Sequence, residues 1–184
     1  MKALYLTLFT ILFISCGSNT KLATASSTRD FLAVQELAKS RSFEVDSQFA
    51  LPRASAALSR VANTNILGYG NNASSINIIS NPNYLKKIGD SVSAYLPYYG
   101  ERTIPLASRD LGGIEFHGVP KDYKIILDEK RKLTRISFNI DDFENPIENY
   151  DVEILLYSTY ASEIKVSSAS RSPISYTGSF KEIK

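Results

Sequence analysis

The chain has 184 residues, with 21 lysines and arginines against 19 aspartates and glutamates, and its formal net charge at pH 7 is +2. A chain this close to neutrality lacks the basic excess typical of proteins that bind nucleic acid or an anionic membrane surface. Its length is that of one ordinary domain, and the single cysteine, Cys16, excludes an intramolecular disulfide.

The N-terminal residues have the three parts of an export signal. Lys2 precedes an apolar run over residues 3–14, and Ser15 and Cys16 follow it. The run is shorter than the ~20 residues that a membrane-spanning helix needs, so we expect it to be cleaved. Its end resembles the lipobox of bacterial lipoproteins, although Phe13 stands where leucine is usual. The resemblance implies that Cys16 is acylated; the alternative is an ordinary secretory signal with an incidental cysteine.

The sequence predicts a signal peptide over residues 1–15, a lipidated cysteine with a flexible tether over residues 16–27, and one β-rich domain over residues 28–184. The tether is rich in small polar residues that cannot bury apolar surface. Acyl chains on Cys16 would attach the protein to a lipid bilayer. Many surface lipoproteins of the Bacteroidetes carry acidic residues soon after the cysteine, and residues 17–21 contain none. We therefore expect an outer-membrane anchor, with the domain facing the periplasm rather than the cell surface.

One amphipathic helix is predicted near the start of the domain. Apolar residues recur every three or four positions from Phe31 to Ala38, which indicates a helix over residues 29–40. Residues 54–62 fit either a short helix or an irregular connection, and the pattern leaves both open.

Most of the remaining chain has the alternating pattern of half-buried strands. Apolar and polar residues alternate over residues 43–46, 114–117, 133–140 and 174–180, and the polar residues 128–132 indicate a hairpin turn. Together with the other short apolar segments this gives about eight or nine strands. Short strands joined by short turns favour an antiparallel arrangement. We predict an α+β fold that is mainly antiparallel β, either a sandwich or an open barrel, with one N-terminal helix.

No pattern in the chain predicts a cofactor. Residues 68–73 match the glycine spacing of a dinucleotide-binding loop, but a strand-like segment follows them where such a site needs a helix. We interpret them as a flexible loop. Ser162 and Lys165 have the spacing of a penicillin-binding motif, but in a strand they point to opposite faces.

Catalytic and metal-binding residues are also scarce. His117 is the only histidine, it lies on the polar side of a predicted strand, and no nucleophile motif accompanies it. Acidic and amide residues between 139 and 151 could offer oxygen ligands to calcium, but they lack the order of a calcium loop. We interpret them as a solvated connection, and we predict no metal site.

The tyrosines are the best candidates for ligand contact. Tyr95, Tyr98 and Tyr99 fall within one short segment, and Tyr176 lies near the C-terminus. Exposed tyrosines combine apolar area with a hydroxyl group, which suits the binding of a peptide, a glycan or a protein partner. The alternative is that they are core and sheet residues of a β-rich domain.

Three segments resemble the domain of unknown function 4251 family of Bacteroidetes lipoproteins. They are residues 89–100, which contain Leu-Pro-Tyr-aromatic-Gly, residues 113–116, and residues 171–178, which read Arg-x-x-Ile-Ser-Tyr-x-Gly. The family carries no assigned activity, so the resemblance implies location and architecture only.

The residue types in these motifs predict structural roles. Pro97 and Gly100 bracket a chain reversal. We expect Arg171 to bind carbonyl groups of that reversal, and Gly178 to admit another backbone or an aromatic ring at close range.

Taken together, these features favour a membrane-anchored envelope lipoprotein that acts as a non-enzymatic binding module for a peptide, a glycan or an envelope protein. Two alternatives remain: a carboxylate-based envelope hydrolase, since aspartate and glutamate suffice for glycoside chemistry, and a structural or assembly factor of the envelope.

Overall fold

A computed structural model describes residues 20–40, 42–64, 66–103, 112–145 and 148–183, with side chains from Arg29 onward. The predicted signal segment and Cys16 lie outside the described residues. Within the described residues, no helix combines the length and apolar composition that a membrane crossing requires.

The first helix, α1 (Thr20–Lys39), places one face against the sheet. Phe31, Val34 and Ala38 are buried at the spacing that the sequence indicates, which confirms the amphipathic helix. The helix begins at Thr20, so its first turns fall within the segment predicted as a tether. Because residues 20–27 contain no proline or glycine, a helix nucleated further along can extend through them.

The second helix, α2 (Ala56–Ala62), shows that the ambiguous segment is helical. Ser55 caps it, since its hydroxyl oxygen accepts a 3.1 Å hydrogen bond from the backbone N–H of Leu58. None of its residues is buried.

All strands in the described part of the chain belong to one antiparallel sheet that curls into a half-barrel. This confirms the mainly antiparallel fold and selects the open barrel over the sandwich. The described residues form ten strands, where about eight or nine were predicted, and the shortest of them has only two residues. The strands are β1 (Ser42–Pro52), β2 (Ile76–Asn77), β3 (Tyr84–Ile88), β4 (Ser91–Leu96), β5 (Ile114–Gly118), β6 (Lys121–Asp128), β7 (Leu133–Asp141), β8 (Asn149–Tyr157), β9 (Ala161–Ser167) and β10 (Ile174–Glu182).

The order across the sheet is β5-β4-β3-β1-β10-β9-β8-β7-β6, and β2 pairs with β1 beside this path. Two meanders therefore meet at the pairing of the first strand with the last. The curl brings strands that are far apart in this order close together. As a result, the backbone N–H of Phe143, just after β7, donates a 2.9 Å hydrogen bond to the carbonyl of Glu115 on β5. The apolar residues of alternating positions fill the space between the sheet and α1.

A bulge in β1 explains one of the motif glycines. The pairing of β1 with β10 shifts between Ser47 and Phe49, and Gly178 lies opposite. A Cβ atom on Gly178 would stand 2.0 Å from the carbonyl oxygen of Asp46. The expected close approach of another backbone at Gly178 is confirmed.

Candidate functional site

The segments that resemble the family meet at a buried arginine. The Nε of Arg171 donates a 2.7 Å hydrogen bond to Oε1 of Glu148, and its Nη2 donates one of 3.1 Å to Oε2. The guanidinium carbon lies 5.3 Å from the ring centre of Tyr98 and 5.5 Å from that of Tyr150. The hydroxyl of Tyr150 donates a 2.5 Å hydrogen bond to Asp142. We call these five residues the arginine junction.

The carbonyl that Arg171 binds differs from the one we expected. Its Nη1 donates to the carbonyl of Gly113, just before β5, and not to the chain reversal at residues 96–100. The carbonyl of Pro97 in that reversal is already occupied, because it accepts a 2.9 Å hydrogen bond from the hydroxyl of Tyr176. Arg171 reaches the reversal through the ring of Tyr98 instead.

Gly100 is required by the packing of the same reversal. The Tyr98 hydroxyl lies 2.8 Å from the carbonyl oxygen of Glu101 and 2.9 Å from that of Ser172, so it joins two separate segments. A Cβ on Gly100 would stand 2.3 Å from this hydroxyl and 2.5 Å from the Ser172 hydroxyl. Only glycine fits there without displacing the tyrosine.

Charges within the arginine junction compensate one another. Burial by itself would raise the pKa of Glu148, but hydrogen bonds from Arg171, Ser170 and Ser168 hold it below its usual value. Burial, together with the hydrogen bond to Asp142, raises the pKa of Tyr150 far above its usual range. The small pocket beside Arg171 has no volume that would admit a water molecule. The arginine junction is therefore a structural tie rather than a place for a substrate.

The structure separates the tyrosines that the sequence suggested as one binding surface. Tyr176 is fully buried, so the prediction that it contacts a ligand is wrong. Its aromatic ring packs in the core, and burial raises the pKa of its hydroxyl. Tyr98 is committed to the arginine junction, whereas Tyr95 on β4 and Tyr99 stay half-exposed.

Tyr99 lines an open groove that we call the asparagine groove. Its other walls are formed by residues 66–69, 71, 76–77 and 79–81, and it encloses about 640 Å³. This volume lies in the range of about 300–1,000 Å³ typical of small-molecule sites. Ile66, Tyr69 and Ile79 are exposed in it by 76%, 98% and 65%. None of its described lining residues is charged.

Asparagine side chains hold the walls of the groove in place. The Oδ1 of Asn71 accepts a 2.8 Å hydrogen bond from the backbone N–H of Asn77, and the Oδ1 of Asn77 accepts one of 3.0 Å from the N–H of Ile79. The Nδ2 of Asn81 donates a 3.0 Å hydrogen bond to the Tyr99 hydroxyl. Burial raises the pKa of that hydroxyl, and the hydrogen bond from Asn81 opposes the rise. The asparagine groove is thus preformed by its own side chains.

The groove was not predicted from the sequence, although a signal for it is present there. Asparagine recurs at positions 71, 72, 77, 81 and 83, directly after Gly68 and Gly70. These glycines have φ values of +84° and +80°, which favour glycine because other residues have a side chain that crowds the backbone there. Residues 68–73 were interpreted as a flexible loop. In the structure, part of this segment forms a wall of the groove.

A second open groove crosses the outer face of β6 to β9 and encloses about 540 Å³. This groove is relevant to the hydrolase alternative, because it contains two carboxylates, Asp151 and Glu153. They lie two residues apart on β8, about 7 Å along the strand, which is within the range of carboxylate separations in glycoside hydrolases. Glu153, however, is bound by Arg135 at 2.5 Å and by Lys165 at 3.2 Å. With both oxygens engaged by cations, Glu153 is poorly placed to donate a proton to a leaving group.

The acidic segment was interpreted as a solvated connection rather than a calcium site, and the structure shows where its described carboxylates lie. No group of three or more histidine, cysteine, aspartate or glutamate side chains within them could hold a metal ion. Asp142 and Glu148, from the acidic segment, face Arg171 instead, at 3.8 and 2.7 Å. His117 is exposed on β5.

The comparison with known proteins confirms the family resemblance that the motif residues indicated. The sequence model of a family described as a domain of unknown function, DUF4251, matches residues 25–180. No curated protein matches the chain.

Proposed function

The chain belongs to the DUF4251 family, and we propose that it is a lipid-anchored envelope lipoprotein that binds a ligand in the asparagine groove without transforming it. The observation that carries this proposal is the groove itself. It is open, it exposes one tyrosine and two isoleucines, and hydrogen bonds between its own residues support it. Large apolar side chains exposed in a concavity are typical of a binding site.

The arginine junction also supports a binding role, because it holds the backbone beside the groove in place. The arginine junction joins the segment around Tyr98 to the start of β5 and to the start of β10. Tyr99 follows Tyr98 directly, so the tie that holds one tyrosine also holds the backbone of the next. A site on a rigid support loses less conformational entropy when its ligand binds.

The anchor is the second part of the proposal, and the lipobox resemblance supports it. With Cys16 acylated, the groove works at a membrane surface, where its ligand would be a component of the envelope. A binding module of this kind needs no catalytic group.

Site-specific photocrosslinking in cells tests the binding role. Tyr69 is replaced by p-benzoylphenylalanine in the full-length lipoprotein, and Ile126, exposed by 54% on β6 and outside the groove, is replaced in a matched variant. We expect a discrete adduct with envelope material from position 69 and none from position 126. Adducts from both positions alike, or from neither, would contradict the proposal.

A further inference from the structure

We propose that the ligand of the asparagine groove is an uncharged carbohydrate. This inference rests on the proposed function and deepens it, because it gives the class of ligand. It follows from the charge of the groove, from the state of its backbone groups and from the side-chain groups that remain available.

The charge of the groove argues against ionic and fully apolar ligands. Its described lining residues are all uncharged. An ionised ligand would lose hydration there without meeting a counter-charge. A fully apolar ligand would cover the Nδ2 of Asn77 and the Oδ1 of Asn81 and leave these two atoms without a hydrogen-bond partner. A neutral molecule that carries hydroxyl groups avoids both costs.

The backbone argues against an extended peptide. Peptides that add a strand to a sheet rely on free backbone donors and acceptors at the edge. The strand beside the groove is β2, and the backbone donors there are already used. The N–H of Asn77 donates to the side-chain oxygen of Asn71, and the N–H of Ile79 donates to that of Asn77. The N–H of Ile78 is also occupied, because it donates a 2.9 Å hydrogen bond to the carbonyl of Gln48 on β1. A docking peptide would have to displace these bonds.

The groups that remain match a sugar ring. Tyr69 offers an almost fully exposed ring, on which the apolar C–H face of a sugar can stack. Among the described residues, the Nδ2 of Asn77 and the Oδ1 of Asn81 have no hydrogen-bond partner. They supply one donor and one acceptor along the lining of the groove, and a sugar hydroxyl can satisfy either.

The test is a binding titration of the mature lipoprotein in detergent micelles. The probes are neutral oligosaccharides of hexose and N-acetylhexosamine, matched oligosaccharides that carry uronate or sulfate groups, and a set of unstructured peptides. We expect binding of neutral oligosaccharides only. Tyr69→Ala should weaken it by about tenfold or more through loss of the stacking surface. Tyr69→Phe should largely retain it.

A second variant and a control guard against indirect effects. Asn77→Asp keeps the oxygen that accepts from Ile79 but removes the amide donor, so it should weaken neutral sugars while the fold is kept. Ile126→Ala, outside the groove, should change nothing. Binding of charged sugars or peptides alone, no binding of any probe, or neutral binding that Tyr69→Ala leaves intact would overturn the inference. If position 69 still crosslinks in cells while every neutral sugar fails, only the ligand class falls, and the proposed binding role stands.

Discussion

Arg171 and Glu148 form a paired hydrogen bond, at 2.7 and 3.1 Å, between two side chains that are only 2% and 3% exposed. One belongs to the segment before β10, and the other comes just before β8. Such a pair joins two loops at the cost of desolvating two charges. Loss of either partner therefore leaves a poorly compensated charge in the interior, with its next opposite charge at 3.8 Å or more.

We expect Glu148→Gln to destabilise the protein by about 3–5 kcal/mol, because it keeps the shape of the side chain but leaves the Arg171 charge poorly compensated. The free energy of unfolding in urea measures this. Arg135→Gln is the control, since it breaks a half-exposed ion pair with Glu153 and should cost less than about 1 kcal/mol. Equal losses in the two variants would show that the arginine junction has no special weight.

The same carboxylate predicts how stability changes with pH. The pKa of Glu148 is held below its usual value of 4.5 in the folded protein, so its contribution is complete above that value. It is lost as the pH falls further, through the lower pKa of the folded state. Unfolding free energies measured from neutral pH into this acidic range should fall less steeply in Glu148→Gln than in the wild type. Parallel curves would contradict the assignment.

Gly178→Ala should destabilise the protein by about 1–3 kcal/mol, since the added methyl group meets the backbone of β1 and the bulge has to shift. Gly113→Ala is the matched control, because its Cβ would meet its nearest atom, the carbonyl oxygen of Leu96, at 3.4 Å. Thermal unfolding of both variants makes the comparison. A Gly178→Ala protein as stable as Gly113→Ala would mean that the bulge adapts freely.

Tyr176→Phe should cost about 1–3 kcal/mol, because it leaves the carbonyl of Pro97 without its donor in a partly buried place. Tyr69→Phe makes the same chemical change at a side chain that is 98% exposed, and it should leave the unfolding free energy unchanged. If the two variants are equally stable, the hydrogen bond to Pro97 contributes nothing net.

Cys16→Ser should abolish acylation and move the protein from the membrane fraction to the soluble fraction, because no other lipid anchor is predicted. Metabolic labelling with radioactive palmitate and detergent phase partitioning measure the two effects. Ser15→Ala, which keeps a small residue before the cysteine, is the control and should remain labelled. A Cys16→Ser protein that is still labelled and membrane-bound would contradict the lipoprotein proposal.

The strands were predictable because their signal is local. Alternation over residues 133–140 depends only on neighbouring side chains, and β7 (Leu133–Asp141) follows it almost residue for residue. Helix α1 shows the limit of such patterns. Its buried face was predicted, but its start was not, since Ser26, Ser27 and Thr28 are residue types that often cap a helix and here lie within one.

The site was less predictable because its contacts join residues far apart in the chain. Tyr98 and Tyr99 are neighbours in sequence, yet one binds Arg171 and the other faces the asparagine groove. Glu148 looked like one acid of a solvated segment, and its partner lies 23 positions away.

By itself, the sequence determined the antiparallel strands, the first helix, the family and the glycine at position 178, since each depends on local periodicity or on a contiguous motif. The tertiary structure decided which carboxylate pairs with Arg171, which tyrosine remains accessible, and that a groove exists beside Tyr99. Those outcomes depend on how the sheet curls and on which loops it brings together, and no local pattern encodes that geometry.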